Sequence, residues 1–97
     1  MYLEELDITV EELSSEAINS LGLDSKTSGI LVKEVCDKNE NLLNNDVIIQ
    51  VSSEKIKDIK SFQSMIANSI KLNRDKLLLR VIRDGNEFWL INPFVIE

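Results

Sequence analysis

Histidine is absent from the 97-residue chain, and cysteine, proline, tryptophan and tyrosine occur once each. Without histidine, Ser-His-Asp and Cys-His relays and the usual His-containing zinc sites are excluded. A Ser–Lys pair stays formally open, but no serine sits on a glycine-flanked elbow, so autonomous catalysis is not expected. Three glycines leave no phosphate-cradling loop. Cys36 has no partner for an internal disulfide. It follows the apolar run "GILVKEV" and lies beside Glu34 and Asp37, the opposite of the basic setting a reactive thiolate needs. It reads as a buried or half-buried structural thiol.

Basic charge is also scarce. Eleven Lys and Arg against seventeen Asp and Glu give a net charge of −6, and the basic residues are interleaved with acids. Phosphate backbones and anionic membrane surfaces both require clustered cations, so neither nucleic acid nor a membrane surface is an expected partner. No run approaches the ~20 apolar residues of a membrane span, and membrane insertion is not expected. The opening "MYLEELD" is acidic and lacks an apolar h-region, so no signal peptide is read there. The acid pairs at 4–5 and 11–12 fall in no calcium-loop spacing. No metal or cofactor is expected.

What is present is a core-building set poor in aromatics: 43% of residues are apolar, and aromatics make up only 5%. A chain of this length supports one modest core built on Ile, Leu and Val. "LDITV" (6–10) reads as a strand. Ser14 is a suitable N-cap for a short helix that carries Glu16 in its first turn and Gly22 at C′. "SGILVKEV" (28–35) and "DVIIQV" (46–51) are β-branched runs, the second apolar enough for burial on both faces. Asp58 opens a helix in which Ile59, Phe62, Met65, Ile66 and Ile70 recur at three and four residues. "KLLLRVIR" and "NEFWLI" bracket Asp84-Gly85, a strong hairpin signal. The order predicts a strand-rich α+β domain with one main helix, not a doubly wound parallel sheet.

The ordered set resembles a bacterial PDZ domain of the HtrA/Deg type of serine protease, most like its second, C-terminal PDZ. The resemblance rests on Leu6, Ile8, Val10, Leu13, Ser14, Glu16, Leu21, Gly22, Leu23, Gly29, Ile30, Val32, Val35, Asp46, Val47, Ile48 and Val51, and covers nearly all of residues 6–91. It implies a PDZ-like fold: a small, partly open antiparallel β-barrel or sandwich of five to six strands, with one main helix and one short N-terminal helix. It also implies one PDZ domain over 1–97, core 6–91 and tail 92–97, excised from a longer protease.

The resemblance implies capture of peptides or unfolded protein segments by strand addition, with a non-catalytic role in protein quality control. Carried over by position, Leu6, Asp7 and Ile8 form the binding loop and Ile8, Thr9 and Val10 the pairing strand. Ile59, Gln63 and Ile66 face the groove from the helix, while Phe62 and Met65 turn to the core. Plain core packing is the competing reading of these apolar residues. Net bonds of ~1 kcal/mol each and one filled pocket put binding near micromolar, about 8 kcal/mol. Further implied partners are the parent chain's protease domain and an oligomer formed through it; the implied location is the periplasm. Asp7 stands where the family carries glycine, setting a Cβ and a negative charge beside a ligand carboxylate. Asn45 replaces the glycine before Asp46, a substitution a left-handed turn tolerates. "SSEK" (52–55) stands in place of Asn-Gly. Two other functions fit the same fold: an assembly module contacting neighbouring subunits or domains, and an adaptor with no protease attached. "INPFVIE" reads as a final edge strand or as a segment docking on a neighbour.

Overall fold

The computed structural model describes residues 1–95. Its elements run β1 (Tyr2–Leu3), β2 (Ile8–Glu12), α1 (Ser15–Ser20), β3 (Ile30–Val35), β4 (Val47–Val51), β5 (Glu54–Lys55), α2 (Ile59–Lys71), β6 (Lys76–Arg83) and β7 (Asn86–Pro93). The strands form an open antiparallel sheet in the order β1-β2-β3-β4-β6-β7. On one side of β4, β3 pairs with its first half and β5 with its second, while β6 runs along the other side. The α+β architecture with one long and one short helix is the expected one. Two two-residue strands, β1 and β5, raise the strand number to seven.

Both helices are closed by their own sequence. Ser14 Oγ accepts from Ala17 N at 3.1 Å, and Glu16 lies in the first turn of α1, where the helix dipole favours an acid. At its far end Gly22 has φ +67°, with Gly22 N donating to Asn19 O and Leu23 N to Ile18 O, a Schellman motif. Asp58 and Ser61 form a reciprocal capping box at the start of α2. Asn73 at φ +61° closes it, with Asn73 N donating to Ile70 O and Arg74 N to Ser69 O. α2 sinks Phe62 and Ile66 among Ile8, Val10, Val32, Ile48, Leu79 and Val81, with Met65 packed against them. Each fully buried side chain of this size contributes about 1.5–3 kcal/mol.

The β3–β4 crossing needs a residue without a side chain. A Cβ on Gly29 would lie 2.4 Å from Ile48 O. Asn45 takes φ +73°, as expected of the residue replacing a turn glycine. It delivers Asp46, 1% exposed, to a fork from Arg83: Nε donates to Oδ1 at 2.8 Å and Nη2 to Oδ2 at 2.7 Å. Leu43 N also donates to Oδ2, at 2.8 Å. The Asp84-Gly85 turn has both φ values positive, +52° and +79°, and joins Arg83 to Asn86 as a two-residue type I′ hairpin.

Two elements depart from the expected limits. The strand expected at 6–10 begins at Ile8 and reaches Glu12, because Asp7 lies at φ +53° and ends a turn rather than extending the strand. In β4, Ile49 and Gln50 are only half-buried, so the double-sided burial expected of "DVIIQV" holds for Val47, Ile48 and Val51. Residues 91–93 of the tail belong to β7. Phe94 N donates to Asp75 O at 2.9 Å and Val95 N to Glu5 O at 2.8 Å. The last two tail residues, Ile96 and Glu97, lie outside the described residues.

Candidate functional site

β2 has one edge paired to β3, by Ile8↔Val35 and Thr9↔Glu34, with a register shift before Val10↔Val32. Its other edge faces β1, in the register Tyr2↔Thr9 and Leu3↔Ile8. Val10 commits both backbone groups to Met1: its N donates to Met1 O at 2.8 Å, and its O accepts from the Met1 amine at 2.7 Å. Leu3 O then accepts from Leu6 N at 3.2 Å and Glu4 O from Asp7 N at 3.3 Å, closing the turn at 4–7.

The expected site residues occupy distinct environments. Leu6, Ile8 and Val10 are fully buried, and Thr9 is half-buried on the opposite face of β2. On α2, Ile59 is half-buried, Gln63 exposed and Ile66 only 2% exposed. Thus β2 and α2 bring Ile8, Val10, Ile66 and Phe62 into one apolar cluster, with Ile59 against it. Ile59 N donates to Glu12 Oε1 at 2.9 Å, which ties the start of α2 to the end of β2. Leu3, 3% exposed, belongs to the same cluster. The expected division of α2 into a groove face and a core face is therefore not clean, because Ile66 is as much core as Phe62.

The Asp7 carboxylate is engaged. One oxygen accepts from the Tyr2 hydroxyl and the other from Lys38 N at 2.9 Å, and the residue is 9% exposed. The Tyr2 bond, followed by the Lys38 amide, holds this carboxyl below the usual aspartate range. The same bond, with some burial and the Asp7 charge, pushes the Tyr2 hydroxyl up to about 12. Burial first, then the Asp7, Glu34 and Asp37 carboxylates, push the half-buried Cys36 thiol up, which suits a structural thiol.

Three residues that shape this region had not been singled out from the sequence. Tyr2 and Leu3 line the edge itself. Asn39, 8% exposed, donates from Nδ2 to Leu6 O at 2.8 Å and to Asn92 Oδ1 at 3.2 Å, and accepts at Oδ1 from Asn41 N and Leu42 N, both at 3.0 Å. It fixes the Leu6 carbonyl. One asparagine among the four of "CDKNENLLNN" carries no such signal, and Glu4-Glu5 is not a recognisable turn pair. Among the described residues no cluster of three or more His, Cys, Asp or Glu is placed to hold a metal. Among the described residues no helix is long and apolar enough to cross a membrane.

No protein-family model and no curated protein matches the chain. Solved structures do. The HtrA3 PDZ domain bound to a phage-derived ligand, FGRWV, has a TM-score of 0.71 at 20% identity, over 93% of this chain and 83% of that one. The HtrA-type protease AlgW with a decapeptide has a TM-score of 0.73 at 28% identity, over 95% of this chain and 29% of that one. A serine-to-alanine form of AlgW, also with a decapeptide, has a TM-score of 0.74 at 26% identity, over 95% of this chain and 28% of that one. The chain thus spans less than a third of the protease's length.

Proposed function

We propose that this chain, whose fold is that of the PDZ domains of HtrA-type proteases, captures extended peptide segments by strand addition at the outer edge of β2. One observation carries this reading. The edge already takes an extended segment, antiparallel, through both backbone groups of Val10, with an aliphatic side chain, Leu3, sunk beside Ile8. Backbone pairing supplies affinity and the apolar cavity supplies selectivity. The solved relatives hold peptides, which supports the same mode. Asp7 is compatible with it, since the Lys38 amide, which lies outside the β1 segment, engages its carboxylate at 2.9 Å.

In this reading Leu6, Asp7, Ile8, Thr9, Val10, Ile59, Gln63 and Ile66 form the site, and the chain does no chemistry of its own. It presents unfolded segments to the catalytic domain of a periplasmic serine endopeptidase within the same parent chain. Titrating a library of peptides with free C-termini while following backbone amide resonances tests the reading. Shifts confined to 6–12 and 59–66 support it, and silence at those residues up to millimolar peptide, with residues 1–3 present and with them removed, refutes it.

A second reading, assembly between subunits or domains, draws on the outer face of β6–β7. Leu78, Trp89 and Ile91 are 41%, 44% and 55% exposed there, and Leu78 lies opposite Ile91. Sedimentation of the parent protein with Ile91→Lys would expose a lost contact.

A further inference from the structure

The groove of this domain is not vacant. Met1–Leu3 runs antiparallel to β2, and Met1 holds both backbone groups of Val10. Leu3 fills the apolar site beside Ile8, within the cluster that includes Phe62 and Ile66. Its carbonyl takes the Leu6 amide of the binding loop at 3.2 Å. The Tyr2 hydroxyl, on the opposite face of the hairpin, closes on Asp7. The backbone groups of Val10, the Leu6 amide and the apolar site beside Ile8 are thus taken by the chain itself.

Resting on the peptide-capture reading, we infer that residues 1–3 are an intramolecular occupant of the groove, and that an external peptide binds by displacing them. The occupant shows what the site accepts: an extended segment, leucine-sized at the buried position, followed by an oxygen acceptor for the Leu6 amide. A peptide ending in Met-Tyr-Leu with a free carboxylate reproduces all of these. A segment tethered by a short turn acts at an effective concentration in the millimolar range. A free peptide of micromolar intrinsic affinity therefore binds the closed form about a hundredfold or more weaker, because only the opened fraction is competent. Three residues with one buried side chain are a small enough unit to leave without unfolding the sheet.

The pairing supplies its own lock. Met1 and Val10 exchange both bonds, so the neighbouring Tyr2↔Thr9 pair is non-hydrogen-bonded, with Cα atoms about 4.5 Å apart, inside the range a disulfide spans. The test uses Tyr2→Cys with Thr9→Cys in a Cys36→Ser background, oxidised and then reduced, beside a chain lacking residues 1–3. The probe is the synthetic peptide Gly-Ser-Gly-Met-Tyr-Leu, followed by calorimetry and amide shifts. The expected result is loss of binding on oxidation, recovery on reduction, and a gain of about a hundredfold or more when residues 1–3 are removed, relative to the form that carries them. Equal affinity with the cystine closed, or no gain on removal, overturns the occupant while peptide capture stands. Silence in every form, the shortened one included, overturns capture and the occupant together.

Discussion

Two hairpins border the sheet, and they differ in how they are held. The β6–β7 hairpin pairs all eight residues from Lys76↔Pro93 to Arg83↔Asn86 across a type I′ turn whose two residues both lie at positive φ. Arg83 anchors it further through the buried Asp46, and lies over Phe88 at 4.9 Å. The β1–β2 hairpin pairs Tyr2 and Leu3, with Met1 bonded to Val10, across a turn in which only Asp7 is left-handed. One is framework, built from register and a buried ion pair. The other rests on a single aliphatic side chain and a few edge bonds. Strand content alone hides this contrast, which lies in how many interactions must break together.

The largest effect should come from the framework side. Arg83→Met leaves Asp46, 1% exposed, without its counter-charge, and should cost about 3–5 kcal/mol in denaturant unfolding. A neutral result would mean that the pair anchors nothing. The next comparison sets equal deletions in the two regions against each other. Leu79→Ala in β6, where Leu79 is fully buried, should cost about 3–4 kcal/mol. Leu3→Ala should cost only about 1 kcal/mol, because the edge strand can open locally instead of tolerating a cavity. Equal losses would make β1 as integral as β6. Hydrogen exchange sharpens the point without mutation. The Val10 amide, bonded to Met1, should exchange about a hundredfold faster than the Val32 amide, bonded to Asp46 O at 2.8 Å.

The smallest effect concerns pH. The hydroxyl of Tyr2, pushed up to about 12, gives its full support to the hairpin below the ordinary tyrosine value and loses it as pH rises through that raised value. Asp7, held below its ordinary value, gives support that is complete above that value and is lost as pH falls through the lowered one. The chain has one tyrosine, so ultraviolet titration reads it alone, and removing the Asp7 carboxylate with Asp7→Asn should bring its midpoint down. Tyr2→Phe should bring the Asp7 carbon resonance back towards ordinary aspartate titration. An unmoved Asp7 would show that the Lys38 amide alone holds it.

The framework was legible because each of its parts carries its own physical signature. Asp84-Gly85 announces a turn with positive φ, Ser14 and Asp58 announce helix starts, and Gly22 sits where a left-handed residue must. Asn45 could be foreseen as a left-handed residue because it stands where a glycine is expected. The occupied edge was not legible. Glu4-Glu5 has no turn preference, and "MYL" is too short for any periodicity to register. Whether Ile66 faces groove or core depends on Leu3 lying against the same cluster, a tertiary fact that helical spacing does not contain. Asp7 was legible in neither backbone nor side chain: it falls within 6–10, which reads as a strand, although its φ is left-handed, and the fate of its charge depends on Tyr2 and on Lys38, thirty-one residues away.

Val95 N donates to Glu5 O, in the turn that joins the short hairpin's two strands. In mechanical terms this makes residue 5 a shared fulcrum. The carbonyl of Glu5 thus ties the segment after β7 to the turn that carries Met1–Leu3, so the two ends of the described chain bear on one backbone group.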